Sequence, residues 1–142
     1  MTEHHTMPAL LADHDAMRPA LRALDGRAPL SHGALRGLMT RTVAALNARG
    51  IGRGDRVAIV LPNGAEMAAV FLAVAAGAAT APLNPGYRGE EFEFYLDDLK
   101  AKALLVLSGW DTPARAAAAK LGVPIIEEIG RASCRERVCS TV

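Results

Sequence analysis

A loop able to cradle phosphate is the first chemistry to look for in a glycine-rich stretch, and Gly50-Ile51-Gly52-Arg53-Gly54-Asp55 is the obvious candidate. A nucleotide fingerprint must follow a strand and open a helix, so that the helix N–H groups face the phosphate. Here the stretch closes a helical pattern and precedes a strand pattern. It therefore reads as a tight connection that needs glycine conformations, with no binding role. No Gly-x-x-x-x-Gly-Lys-Ser/Thr loop occurs anywhere in the chain.

The other reactive side chains do not assemble a site either. His4, His5, Asp13, His14 and Asp15 include metal-capable groups, but they sit in a polar terminus where no regular element fixes their geometry. His32 falls in the first turn of a helical pattern and is expected on the surface. Ser31, just before it, has no base or oxyanion donor nearby in sequence and is left a capping role. Asp97 and Asp98 are adjacent, so on a helix their carboxylates diverge, which is poor geometry for an acid/base pair. Cys134 and Cys139 are not spaced as Cys-x-x-Cys, and no second pair exists to complete a zinc site. Catalytic, cofactor-binding and metal-ligating residues are accordingly all assigned as none.

Both cysteines lie in residues 129–142, where the composition turns from Ala, Leu and Val to Arg, Cys and Ser. The run from Ile129 to Val138 resembles the in-frame translation of a sequencing-adapter oligonucleotide, which implies a non-native tail. Leaving out that tail removes three Arg and one Glu and takes the formal net charge from +1 to −1. The basic residues are scattered singly, so no electrostatic footprint for nucleic acid is present. The most apolar stretch, residues 67–83, is broken by Gly77 and closed by Pro82, and falls short of the ~20 apolar residues of a membrane span. Residues 1–15 carry acids and histidines, without the basic and apolar regions of a secretory signal, so a cytoplasmic location is the expectation.

The elements that must position any site can be read from periodicity. At 142 residues with 51% apolar, 22% charged and only 4% aromatic residues, the chain fits one domain, or part of one, with a core of Ala, Leu and Val. Residues 20–24 and 27–30 read as two short extended runs around Asp25-Gly26, a hairpin turn signal. Ser31 can cap a helix in which Leu35, Leu38, Met39, Thr42, Val43 and Leu46 share one face, ended by Gly50. Residues 56–61 form a continuous apolar, β-branched run, the pattern of a strand covered on both faces. Asn63 can cap a second helix with Met67, Val70, Phe71 and Val74 on one face; Gly77 stops it before a buried strand at 78–83. Asn84-Pro85-Gly86-Tyr87 is turn chemistry. A third helix follows, with Phe92, Tyr95, Leu96 and Leu99 as its apolar stripe and Glu90, Glu91 and Glu93 near its N-terminus. Residues 103–107 are a buried strand. Asp111 or Thr112 can cap a helix that starts at Pro113 and stops at Gly122, and residues 123–126 offer a last strand. The alternation predicts an α/β fold: a partial, mostly parallel, doubly wound sheet with flanking helices, preceded by a short β-hairpin.

Several of these segments also carry a family resemblance. Leu30-Ser31-His32-Gly33-Ala34-Leu35, Gly50-Ile51-Gly52-Arg53-Gly54-Asp55-Arg56-Val57-Ala58-Ile59 and Leu61-Pro62-Asn63-Gly64-Ala65-Glu66 resemble the opening motifs of the adenylate-forming (AMP-dependent synthetase/ligase) superfamily. Ala75-Ala76-Gly77-Ala78-Ala79-Thr80-Ala81-Pro82-Leu83-Asn84-Pro85 resembles its second motif. Glu91-Phe92-Glu93-Phe94-Tyr95-Leu96-Asp97-Asp98-Leu99-Lys100-Ala101-Lys102-Ala103 is most similar to the oxalate-CoA ligase-like branch of acyl-CoA synthetases. The sequence departs from the first motif at His32 and Ala34, where the family usually has an aromatic residue and an acid.

The resemblance implies residues 20–128 as the N-terminal part of an AMP-binding (adenylation) domain, set between the polar stretch 1–19, read as a flexible N-terminus, and the adapter-like 129–142, read as a non-native tail. It implies a two-step reaction in the complete enzyme: a carboxylate attacks the α-phosphate of ATP, and the thiol of CoA then displaces AMP. ATP, Mg²⁺, CoA and a small-molecule carboxylate are the implied cofactors and partners. The phosphate loop, ribose contact, adenine pocket and C-terminal lid of that family come later than these motifs. The chain is thus expected to be a fragment, inactive alone, that binds no cofactor tightly and self-associates through an exposed sheet edge. A stand-alone nucleotide-binding α/β module and a non-catalytic interaction protein are the alternatives.

Overall fold

The computed structural model describes residues 6–128. Its elements in order are α1 (Met7–Leu10), β1 (Pro19–Leu21), β2 (Leu30–Ser31), α2 (His32–Ala48), β3 (Arg56–Val60), α3 (Ala65–Ala75), β4 (Ala79–Pro82), α4 (Gly89–Asp98), β5 (Ala103–Leu107), α5 (Pro113–Leu121) and β6 (Ile125–Glu128). Four strands form a parallel sheet in the order β4-β3-β5-β6, and β1 and β2 form a separate antiparallel pair. The sheet, its helices and the preceding hairpin are those expected from the sequence.

The period of two along the central strands decides what covers each face. Val57, Ile59 and Leu61, with Leu105 of β5, pack against Leu46 of α2 and Val70 and Val74 of α3. Their alternates Ala58, Val60, Leu104 and Val106 pack against Phe92 and Leu96 of α4 and Ala114, Ala117 and Ala118 of α5. Both faces of β3 and β5 are thus dry, which is why these strands read as unbroken apolar runs. A third cluster lies on the outer side of α2 and α3, where Leu35, Met39 and Ala73 are covered by Met7, Leu11, Ala20 and Leu30.

The helix ends follow local chemistry. Ser31 Oγ accepts from Ala34 N at 3.2 Å, and Thr112 Oγ1 accepts from Ala114 N at 3.4 Å. Thr112, not Asp111, is the cap of α5, and Gly122 closes that helix in the left-handed region at φ +68°. Glu91 at the start of α4 accepts from the backbone N–H of Arg88 at 2.8 Å. In the turn before it, Asn84 Oδ1 accepts from Gly86 N at 2.9 Å.

Four details differ from the sequence reading. The hairpin strands are shorter than expected, and residues 22–29 join them as a longer loop in which Gly26 sits at φ +78°. Gly64 occupies the cap position of α3, and Asn63 lies one residue outside the helix. The strand expected to be buried at 78–83 is β4, the half-exposed edge of the sheet, because the chain places it on the far side of β3 from β5. Gly77 does more than stop α3: a Cβ there would come within 2.9 Å of Val43 Cγ2, so its lack of a side chain lets α2 and α3 approach.

The stretch read as a flexible N-terminus over 1–19 contains, from Thr6 onward, the one-turn α1, with Thr6 Oγ1 accepting from Ala9 N. No helix among the described residues is long and apolar enough to cross a membrane. The tail assigned to 129–142 lies outside the described residues.

Candidate functional site

In an open parallel sheet, ligands bind beyond the carboxyl ends of the strands, at the point where the strand order reverses. The chain runs from β3 out to β4 and then returns to β5 on the opposite side, which puts the reversal between β3 and β5. The loops that emerge there are Pro62-Asn63-Gly64 after β3 and Ser108-Gly109-Trp110-Asp111 after β5.

Beside the first loop is an open cleft of about 470 Å³ between the β1–β2 loop and the start of α3, lined by Leu24, Asp25, Arg27, Asn63, Gly64 and Glu66 among others. Arg27 bridges its walls, with Nη1 2.5 Å from Glu66 Oε1 and Nε 2.5 Å from Asp25 Oδ2. The Arg27 guanidinium holds the Glu66 carboxyl below its ordinary range, and it is itself pushed up, first by Glu66 and then by Asp25. Asp25 is held low first by the backbone N–H of Arg27. The fully exposed Leu24 also lines the cleft.

The second loop is pinned by Arg115 of α5. Its Nε donates to the carbonyl of Trp110 at 2.8 Å and Nη2 to that of Leu107 at 2.9 Å. Nη1 donates to Glu127 Oε1 at 2.7 Å, and Ser108 Oγ donates to Glu127 Oε2 at 3.1 Å. Arg115, then Ser108, hold the Glu127 carboxyl below its usual range. Arg27 and Arg115 each have carboxylate partners within the chain. An incoming phosphate would have to displace Glu66 or Glu127 to use either one.

The residues singled out in the sequence lie elsewhere. Gly50 to Asp55 join α2 to β3 at the amino end of the sheet, opposite the strand-order reversal. Gly50 and Gly54 take φ of +73° and +91°, Gly52 N donates to Asp55 Oδ2 at 3.0 Å, and Ile51 is buried. That is the geometry of a structural turn. Asp97 is paired with Lys100 at 2.9 Å, and Asp98 is exposed.

His32 is not at the surface as expected. It is half-buried, with its ring centroid 4.5 Å from that of His14, and its Nδ1 is buried without a hydrogen-bond partner among the described residues. The structure thus brings His14 and His32 together, although no group of three or more His, Cys, Asp or Glu among the described residues could hold a metal ion. His4, His5, Cys134 and Cys139 fall outside the described residues. The Arg27–Glu66 and Arg115–Glu127 pairs were not singled out in the sequence. The only signal for the second is an Arg on the helix and an Glu-rich strand end that follows it.

Residues 11–140 match the AMP-binding enzyme family. The chain belongs to that family. It is 42% identical over 122 residues to an oxalate–CoA ligase of Arabidopsis thaliana, an alignment covering 83% of this chain and 24% of the relative. It is 39% identical over 126 residues to a probable CoA ligase of Humulus lupulus, covering 87% and 24% respectively. Among solved structures, this AMP-binding family member superposes on apo MatB from Rhodopseudomonas palustris with a TM-score of 0.73 at 28% identity, covering 86% of this chain and 25% of that one. A benzoate CoA ligase from Burkholderia xenovorans shares the fold, with a TM-score of 0.77 at 18% identity over 89% of this chain and 26% of that one. The chain thus spans about a quarter of the length of the curated relatives it matches.

Proposed function

We propose that this chain forms the first part of the sheet domain of an ATP-dependent, AMP-forming acyl-CoA synthetase, similar in kind to oxalate–CoA ligases. In the complete enzyme a carboxylate oxygen attacks the α-phosphorus of ATP and pyrophosphate leaves. The CoA thiol sulfur then attacks the acyl carbon, and AMP leaves as the thioester forms. The observation that carries this reading is the 42% identity to an oxalate–CoA ligase across 83% of the chain.

Negative charge develops on phosphate oxygens in the first step, so the enzyme needs anchored cations and backbone donors around the triphosphate. The groups described here do not fit that requirement. Arg27 and Arg115 are paired within the chain, the glycine turn sits at the wrong end of the sheet, and no cluster of metal-ligating side chains is present among the described residues. Mg²⁺ is therefore assigned no ligands on this chain and no step here is routed through it. These residues contribute scaffold, and the 142-residue chain alone forms no acyl-adenylate and holds neither ATP nor CoA tightly. An open sheet edge at β4 favours self-association, and a cytoplasmic setting supplies both ATP and CoA.

The test is carboxylate-dependent exchange of labelled pyrophosphate into ATP, run with oxalate, malonate and short fatty acids. The purified chain should give exchange at the background of a no-protein control. The same residues joined to the remainder of a CoA ligase of this family should restore exchange. Exchange above background by the chain alone would refute the scaffold role. Micromolar ATP binding by calorimetry without exchange would instead favour a stand-alone nucleotide-binding module.

A further inference from the structure

Residues 6–18 lie across the start of α2, and their contacts converge on one seam. Arg36 Nη1 donates to the carbonyls of Leu11 and His14 at 3.1 and 3.0 Å. The N–H of His32 donates to the carbonyl of Arg18, and that of Gly33 to the carbonyl of Ala16, each at 2.9 Å. A Cβ on Gly33 would stand 3.1 Å from both Cβ and O of Ala16, so glycine permits the close approach. Beneath this segment, Met7 and Leu11 cover the cluster of Leu35, Met39 and Ala73.

The rings of His14, on the segment, and His32, on the helix, meet across the seam at 4.5 Å with a 34° tilt. We infer that this histidine contact is a pH-sensitive latch: the segment stays seated while the His32 ring is neutral and lifts when that ring is protonated. Charging His32 adds a cation to a ring whose Nδ1 is buried without an acceptor among the described residues. The groups facing it are mostly of the same sign: His14 and Arg18 from the segment and Arg36 from α2. Asp15 opposes them, and Asp13 lies on the same stretch of chain. Burial, then His14, Arg36 and Arg18, push the His32 imidazole below its ordinary value. For a base held low in the folded state, the seated form is favoured fully above about pH 6.5, and that preference is lost as pH falls below it. Lifting the segment would uncover the apolar cluster beneath it.

Hydrogen exchange on the full 142-residue chain, corrected for the intrinsic effect of pH, tests this. Protection of residues 6–18 should fall by up to about tenfold per pH unit below about pH 6.5, while that of β5 stays constant. A ratio of the two protections that is flat from pH 7.5 to 5 overturns the latch. His32→Gln should keep the segment protected at every pH, and an unchanged acid loss in that variant also overturns it. If His32→Gln leaves the segment unprotected throughout, His14→Gln decides. It removes the ring that meets His32 across the seam, so the acid loss should become shallower, and an undiminished slope counts against the proposal.

Discussion

The contact of Gly77 with Val43 makes a prediction whose sign depends on the genetic background. In Gly77→Ala the new methyl would sit 2.9 Å from Val43 Cγ2 and 3.1 Å from Cγ1, both inside van der Waals contact. Val43 lies in the middle of α2, where a valine is nearly confined to one χ1 rotamer, so its methyls cannot swing aside and the helices must separate. Overpacking of this kind costs ~1–3 kcal/mol. Gly77 is not among the glycines with positive φ, so alanine is not strained there by its backbone. With the clash gone, Gly→Ala should instead stabilise by ~0.4–1 kcal/mol through the unfolded chain.

Val43→Ala removes the obstructing methyls, and Gly77→Ala should change from destabilising in the wild type to neutral or stabilising in Val43→Ala. The coupling between the two sites is then about 1–4 kcal/mol, spanning most of the ~0.5–3 kcal/mol that touching residues show and reaching slightly beyond it. Urea unfolding followed by the single Trp110 reads it. With a slope of ~2 kcal/mol/M, the wild-type background should lose about 0.5–1.5 M in midpoint on Gly77→Ala. An equal loss in both backgrounds would refute the close-approach argument and leave Gly77 as no more than a helix stop.

Three further outcomes follow from single sites. Phe92 is fully buried beneath α4 with Tyr87 edge-on at 5.8 Å, so Phe92→Ala should lower unfolding stability by ~3–5 kcal/mol, measured by the same denaturation. Thr112→Val keeps the shape of a buried cap but loses its oxygen and should cost ~1 kcal/mol, with near-ultraviolet circular dichroism of Trp110 reporting any loosening of the loop before α5. Glu127 is held low by Arg115 and Ser108, so its contribution to stability is present above its ordinary carboxylate value and is lost as pH falls through the depressed folded one. Glu127→Gln should therefore flatten the acid limb of a stability–pH curve in that range, and an identical limb would show that the pair adds nothing to the hold of β6.

Periodicity carried most of the fold because both faces of the sheet are covered. Residues 56–61 and 103–107 could be read as buried strands since neither face of β3 or β5 meets water. The same logic failed for 78–83: Ala79-Thr80-Ala81-Pro82 is less apolar than β3 or β5, and Pro82, a residue that sheets tolerate at their edges, was the local sign that this strand is an edge. Asp25-Gly26 marked the hairpin, but the loop length was misread because strand pairing was set by Leu30 and Ser31 beside the helix cap and not by the turn. The seating of residues 6–18 left only faint marks, a Thr6-Met7-Pro8 helix start and the apolar Met7, Leu10 and Leu11. What holds them are Arg36 and Gly33, which lie far along the sequence from the Leu11, His14 and Ala16 they touch. The ion pairs at the carboxyl end of the sheet were invisible for the same reason: Arg27 and Glu66, like Arg115 and Glu127, meet only once the strands have been ordered.

That ordering also puts the most suggestive sequence motif at the end of the sheet away from the strand-order reversal. A glycine loop binds phosphate only where helix N-termini and strand carboxyl ends converge, and α2 enters the loop at Gly50 with its carbonyl end. Oriented that way, the helix presents partial negative charge to anything in the loop, and Asp55 adds a full one, its carboxylate already turned inward onto Gly52 N. The loop therefore repels an anion electrostatically while its glycines make the tight turn into β3. At the opposite end, α3 and α5 present their N-termini, the right polarity for a phosphate, but Glu66 sits in the first turn of α3 and Glu127 draws Arg115 across the loop that precedes α5. A phosphate group bound at this end of the sheet would thus need positive charge and donors beyond the groups described here, brought close enough to outweigh two carboxylates.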